Sequence, residues 1–150
     1  MTSYLLDTNV VSSLAPTEGE RPASHAGISG WIVANSDRLF FSVVTALEIE
    51  AGVIKLERSA AGRRQQRMSE WFSSILLHYA DRILPLDLKI VRLASAMTDR
   101  SKARGLYPGM ADTVIAATAI SHGLILLTRN LRHFEVFEIE TVNPFESLPI

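Results

Sequence analysis

The sequence predicts an α/β fold: a central, mostly parallel sheet of four to five strands with helices on both faces. Three observations predict it. Short apolar runs bounded by turn or polar residues recur along the chain, segments of helical period stand between them, and the linkers are short.

The elements follow in order. Tyr4–Leu6, Leu39–Val44 and Leu124–Leu127 read as buried strands, because each is a short, mainly apolar run bounded by turn or polar residues. Ile83–Leu86 carries Pro85, which lacks a backbone N–H and so belongs at or near a sheet edge. Glu138–Val142 alternates polar and apolar residues, as an exposed edge strand should. Helical periodicity covers Val10–Leu14, a weaker Ser24–Asn35, Ala46–Arg58, Ala60–Tyr79, Leu88–Ala103 and Ala111–His122. The stretch Pro16–Pro22, rich in Pro, Gly and charge, reads as a surface loop. The Ala60–Tyr79 segment carries an apolar stripe of Met68, Trp71, Phe72, Ile75, Leu76 and Tyr79, read mainly as core, with a helix-in-groove partner surface for the remainder.

Length and composition bound the function. At 150 residues the chain is most simply one domain, 1–150, and its 47% hydrophobic and 21% charged residues are an ordinary globular balance. With no Cys and four His (25, 78, 122 and 133), none paired with another at short spacing, a zinc site is not expected. No apolar run approaches a membrane span and no leader pattern opens the chain, so the expected location is cytoplasmic, with no membrane partner. A formal net charge of −1 excludes binding by bulk positive charge, but it leaves room for a nucleic-acid enzyme that recruits cations locally. The basic clusters Arg63-Arg64-Arg67 and Arg100-Lys102-Arg104 read as solvated helix faces.

Three carboxylates stand in unusual places. Asp7 ends the first strand in LLDTN, where it serves equally as a helix N-cap or as chemistry at the carboxyl end of a central strand. Asp112 lies three, four and seven residues before Ile115, Ala116 and Ala119, so it projects from an apolar face that must be partly desolvated. Glu48 follows a strand, and its neighbours at i+3 and i+4, Ala51 and Gly52, suit the close approach of another element; Glu50 points elsewhere, towards solvent. All three can converge on one rim of a parallel sheet, where mutual repulsion requires a cation. Oxygen ligands alone favour Mg²⁺ or Mn²⁺, and such a cation suits phosphodiester hydrolysis.

LLDTNV, TALEIEAG, ADTVIAATA and LLTRNLRHF followed by VNPF, in that order, resemble the PIN-domain family, in particular the VapC-type toxins of bacterial toxin–antitoxin pairs. The resemblance spans essentially the whole chain. It implies a PIN-like fold and a metal-dependent endoribonuclease that hydrolyses RNA. It also implies Asp7 and Asp112 as metal ligands, with Glu48 as a ligand or an orienter of the attacking water. The family often has a fourth acid after the last central strand. Here that segment reads Thr128-Arg129-Asn130 and then His133, a departure that removes one negative charge and favours a one-metal site, or a second metal recruited only with substrate. Asn130 takes the fourth place in the catalytic set, and Thr8, Asn9, Thr128 and Arg129 are candidates for substrate binding. Partners implied by the resemblance are a cognate antitoxin whose C-terminal segment obstructs the acidic site, and a second copy in a homodimer.

Two other classes compete. A catalytically silent PIN-like module that binds RNA or protein is suggested by Asn130, but the three intact acids argue against it. A phosphotransfer domain would need an acid where Asn9 stands and a Lys where Arg129 stands. Dinucleotide binding lacks a Gly-rich turn after the first strand.

Overall fold

The computed structural model describes all residues except 18, 20–22, 60 and 61. Its strands are β1 (Tyr4–Leu6), β2 (Leu39–Ser42), β3 (Ile83–Leu84), β4 (Ile125–Leu127) and β5 (Thr141–Val142). Its helices are α1 (Thr8–Ser12), α2 (Ala23–Ala34), α3 (Val43–Arg58), α4 (Arg63–His78), α5 (Leu88–Ala103), α6 (Met110–His122) and α7 (Leu131–Phe134). The strands form one sheet in the order β3-β2-β1-β4-β5, and every pairing is parallel.

Side-chain alternation along β1 divides the core. Tyr4 and Leu6 face a cluster with Val10, Val11, Ile28, Ile32, Phe41, Ile49, Val53 and Phe72, beneath α1 to α4. Leu5 faces the opposite way, into Ile90, Met97, Ile115 and Phe134 of α5 to α7. The α4 stripe joins the first cluster throughout, from Met68 to Tyr79, and so is core as read. Helix α6 is apolar all round its middle: Thr113 to Ala119 are buried without interruption, which Ala116 and Ala117 permit by occupying little space.

Strand order decides where the loops diverge. From β1 the chain moves outward through β2 to β3, then crosses back over β1 to β4 and continues to β5 on the other side. The connections leaving β1 and β4 therefore run in opposite directions, and the crevice between those strand ends is the topological switch point.

Several boundaries differ from the sequence reading. β2 stops at Ser42 rather than Val44, because the Ser42 side chain accepts the N–H of Val44 at 3.1 Å and starts α3 three residues early. β3 is confined to Ile83–Leu84 at the sheet edge, with Pro85 immediately after it. The expected strand Glu138–Val142 shrinks to its last two residues, since Glu138 adopts a left-handed conformation (φ 54°) that closes a 3-10 turn, Glu135–Phe137. Helix α1 begins at Thr8, two residues before the expected start. The loop at Pro16–Pro22 and the helix start at Ala60 fall wholly or partly outside the described residues.

Candidate active site

Asp7 stands at the carboxyl end of central β1, buried at 5% exposure, and its backbone N–H continues the sheet by donating to Leu127 at 2.9 Å. The N-cap reading holds, and the residue stands at the strand end where the second reading put it. It caps α1, with Oδ1 accepting the Thr8 N–H at 2.8 Å, and it occupies the switch point. Across the crevice, the Thr128 hydroxyl donates to Oδ2 at 2.7 Å and the Asn9 amide donates to the same oxygen at 3.0 Å. Burial nevertheless pushes the Asp7 carboxyl above its ordinary range; these three hydrogen bonds pull it down, and Asp112 pushes it further up.

Asp112 lies in the first turn of α6, where the helix dipole favours an acid. Its side chain is 31% exposed, and His133 Nδ1 stands 3.4 Å from Oδ2. Burial again raises its carboxyl, opposed by His133 and reinforced by Glu48. Glu48, on α3, is exposed, and its Oε1 accepts the Thr8 hydroxyl at 2.7 Å. Thr8 Oγ1 also lies 3.1 Å from Thr45 Oγ1, so a fully buried hydroxyl on α3 braces the bridge. The three acids therefore feel one another, Asp7 through Asp112 and Asp112 through Glu48.

The remaining candidates divide by access. Thr128, read as a substrate contact, is fully buried: its hydroxyl donates to Asp7 and accepts from Asn9 Nδ2 at 3.3 Å and the Asn130 N–H at 3.0 Å, so it has no capacity left for substrate. Asn9 is bound inward on both ends, its Oδ1 accepting the Arg129 N–H at 3.1 Å. Thr8 is likewise committed to Glu48. Arg129 and Asn130 are exposed on the rim. The close approach expected beside Glu48 does not occur: Ala51 and Gly52 are exposed, and a Cβ built on Gly52 meets no atom within 4 Å. Glu50 is exposed, as read.

Among the described residues no three His, Cys, Asp or Glu side chains converge closely enough to cage a metal unaided. The donor set is nonetheless suited to a hard cation. Two partly desolvated carboxylates, Asp7 and Asp112, are each raised by a neighbouring acid, and a divalent ion would relieve both.

Residues 4–138 match the PIN domain family. The chain belongs to that family. It is 33% identical over 143 residues to the VapC ribonuclease Y4jK of Sinorhizobium fredii, covering 95% of this chain and 97% of that protein. It is 31% identical to the toxin FitB of Neisseria gonorrhoeae over 143 residues, 94% of this chain and 97% of that one. In three dimensions it is similar to the crystal structure of FitAcB from Neisseria gonorrhoeae, with a TM-score of 0.79 at 31% identity over 95% of this chain and 98% of that one. The fold is thus the PIN-like α/β arrangement expected. Two neighbours of the acids in this PIN domain escape sequence reading, Thr45 and His133. Thr45 had a signal in opening the motif TALEIEAG, three residues before Glu48, and His133 in its position three residues after Asn130, one turn along α7.

Proposed function

We propose that this chain is the toxin of a toxin–antitoxin pair, a metal-dependent endoribonuclease that hydrolyses RNA phosphodiester bonds with Mg²⁺ or Mn²⁺. One observation carries the reading: at the switch point of a PIN domain, two carboxylates from distant parts of the chain are both raised by burial and then by a neighbouring acid, Asp7 by Asp112 and Asp112 by Glu48. Asp7 and Asp112 would hold the ion, and their number, two rather than three, matches a cation that retains several waters. When bound, the cation supplies Lewis-acid stabilisation of charge on the phosphate oxygens.

The chain's own residues do the rest. Thr128 and Asn9 fix the Asp7 carboxylate in one orientation, and the Thr8 N–H holds its other oxygen. Glu48, steadied on Oε1 by Thr8, has a second oxygen with which to orient a water and accept its proton. Asn130 and Arg129, exposed beside the crevice, meet the RNA strand. The silent binding module has no specific observation in its favour, since all three acids are present at the rim.

A cognate antitoxin, a homodimer and a cytoplasmic location complete the proposal. Among the described residues no helix is long and apolar enough to cross a membrane. The test is RNA cleavage and growth arrest with wild type, Asp7→Ala and Asp112→Ala, with and without a chelator. Loss of both activities in each variant and with chelator is expected. Cleavage that survives in either variant would remove that residue from the cation site.

A further inference from the structure

Arg129 is held by two residues the catalytic set does not include. Its guanidinium carbon lies 3.9 Å from the centroid of the Phe145 ring, a stacked contact, and its Nη2 stands 3.0 Å from Nε2 of His25. Arginine can only donate, so Nε2 of His25 is the accepting nitrogen and its proton resides on Nδ1. The His25 and Phe145 rings are themselves 5.1 Å apart, tilted at 59°. Three segments far apart in sequence meet here: α2, the turn after β4, and the C-terminal tail.

The tail is built to hold its ring in place. Asn143 Oδ1 accepts the Phe145 N–H at 3.0 Å, and the Asn143 carbonyl accepts the N–H groups of Glu146 and Ser147 at 3.2 Å each. Phe145 also packs against the core cluster beneath α1 to α4. On its other side, Arg129 is tied to the acidic centre by its backbone: its N–H donates to Asn9, whose amide donates to Asp7. The Arg129 backbone is therefore two hydrogen bonds from the central carboxylate, while both partners of its guanidinium are rings without negative charge.

An arginine on the same rim as an acidic centre would ordinarily pair with a carboxylate, and among the described residues Arg129 forms no ion pair. Here stacking fixes the planar fork while leaving its charge uncompensated, and among the described residues one of its five N–H donors is committed to a side chain. A stacked guanidinium loses little freedom on meeting an anion. We infer that Arg129, clamped by Phe145 and His25, is the subsite for an RNA backbone phosphate flanking the one that is cut, and that His25 and Phe145 are its positioning residues. This rests on the RNA substrate proposed above; it adds the ligand group and the two residues that prepare the site for it.

The experiment separates the two levels. Cleavage by the wild type tests the activity, whereas binding is read in an Asp112→Asn background, by fluorescence anisotropy of a labelled single-stranded RNA of about 20 nucleotides across a salt series. Arg129→Gln should weaken binding by about tenfold for every sequence tried and lower the slope of log affinity against log salt by about 0.7, the release expected for one single-strand phosphate. Phe145→Leu keeps the charge but removes the platform; it should weaken binding by about three- to tenfold, with Phe145→Tyr restoring it. His25→Gln, which retains an acceptor, should bind more tightly than His25→Leu. Circular dichroism confirms folding in each case. An unchanged salt slope in Arg129→Gln overturns the inference, as does a loss confined to particular base sequences or to capture of a protein partner. If the wild type cuts no RNA while the slope still depends on Arg129, the activity falls and the phosphate subsite stands.

Discussion

At the scale of single residues, the site is a problem of charge. Asp7 and Asp112 both have carboxyls raised by burial and by a neighbouring acid. As proposed cation ligands they must bind the metal ionised, so Mn²⁺ affinity should fall as pH drops through their raised values, earlier than ordinary Asp residues would dictate; Mn²⁺ titrations across a pH series check this. The stability effect has the opposite sign. A carboxyl raised on folding contributes stability that is fully present below its unfolded pKa and is lost as pH rises through its folded value. At neutral pH, without metal, Asp112→Asn should therefore raise the melting temperature, by a few degrees if about 1 kcal/mol is recovered in a chain of this size. With chelator in both samples, a lower melting temperature for Asp112→Asn than for the wild type would show that the repulsion is not felt. The acids were legible in the sequence because a charge on an apolar face is conspicuous. Their hydrogen-bonding supports were only half legible, since the sequence gives Thr128 a place near the site but cannot distinguish a hydroxyl facing substrate from one turned inward on Asp7. Thr128→Val should leave the fold intact, because the side chains are similar in shape. It should lower cleavage by about 10-fold or more through misorientation of Asp7, a loss measured as kcat with KM little changed.

At the scale of elements, caps decide where chemistry is placed. Ser42 ends β2 and begins α3, and this early start puts Thr45 and Glu48 in the first turns of the helix, against Thr8. The sequence reading ran the strand on to Val44 because Val43 and Val44 are apolar and β-branched; the cap overrode that propensity. Ser42 is buried, so Ser42→Ala leaves the Val44 N–H without its partner and should cost about 1 kcal/mol, with a loss of cleavage as Glu48 loosens. Asp87 caps α5, after edge strand β3 and two strands away from β1 in the sheet, by accepting the Ile90 N–H at 2.9 Å. Asp87→Ala should lower the melting temperature by a similar amount while the cleavage rate stays the same. Parallel thermal melts and rate measurements on the two variants separate helix stability from site geometry. Only elements with strong local signals, such as Leu88–Ala103, were bounded correctly from sequence alone; β5 was not, because the left-handed turn at Glu138 has no glycine to announce it.

At the scale of the whole molecule, the fold is one sheet sandwiched between two clusters, and the helix that carries Asp112 is buried without a break from Thr113 to Ala119. Ala117 has no exposed surface. Ala117→Leu should overpack the interior at a cost of about 1–3 kcal/mol and should shift Asp112 with the helix, lowering both melting temperature and cation affinity. Isothermal titration with Mn²⁺ together with a thermal melt reads both. The α/β class, the central strands and the place of Asp7 at the carboxyl end of β1 were legible, since a parallel sheet places every strand's carboxyl end on one rim, whereas the close gathering of three acids is not found among the described residues. What the sequence did not disclose is which acids would be close enough to share an ion, because that depends on helix angles and caps set by tertiary packing.

The uniform strand direction also makes the two chain ends unequal. Met1 is fully exposed at the rim opposite the acids, near Gly123 and His122 at the foot of α6, whereas the last residues run past Phe145 on the side where Arg129 is held. A fluorescent protein or affinity handle fused ahead of Met1 should be invisible to the nuclease, and the same cargo after Ile150 should blunt it.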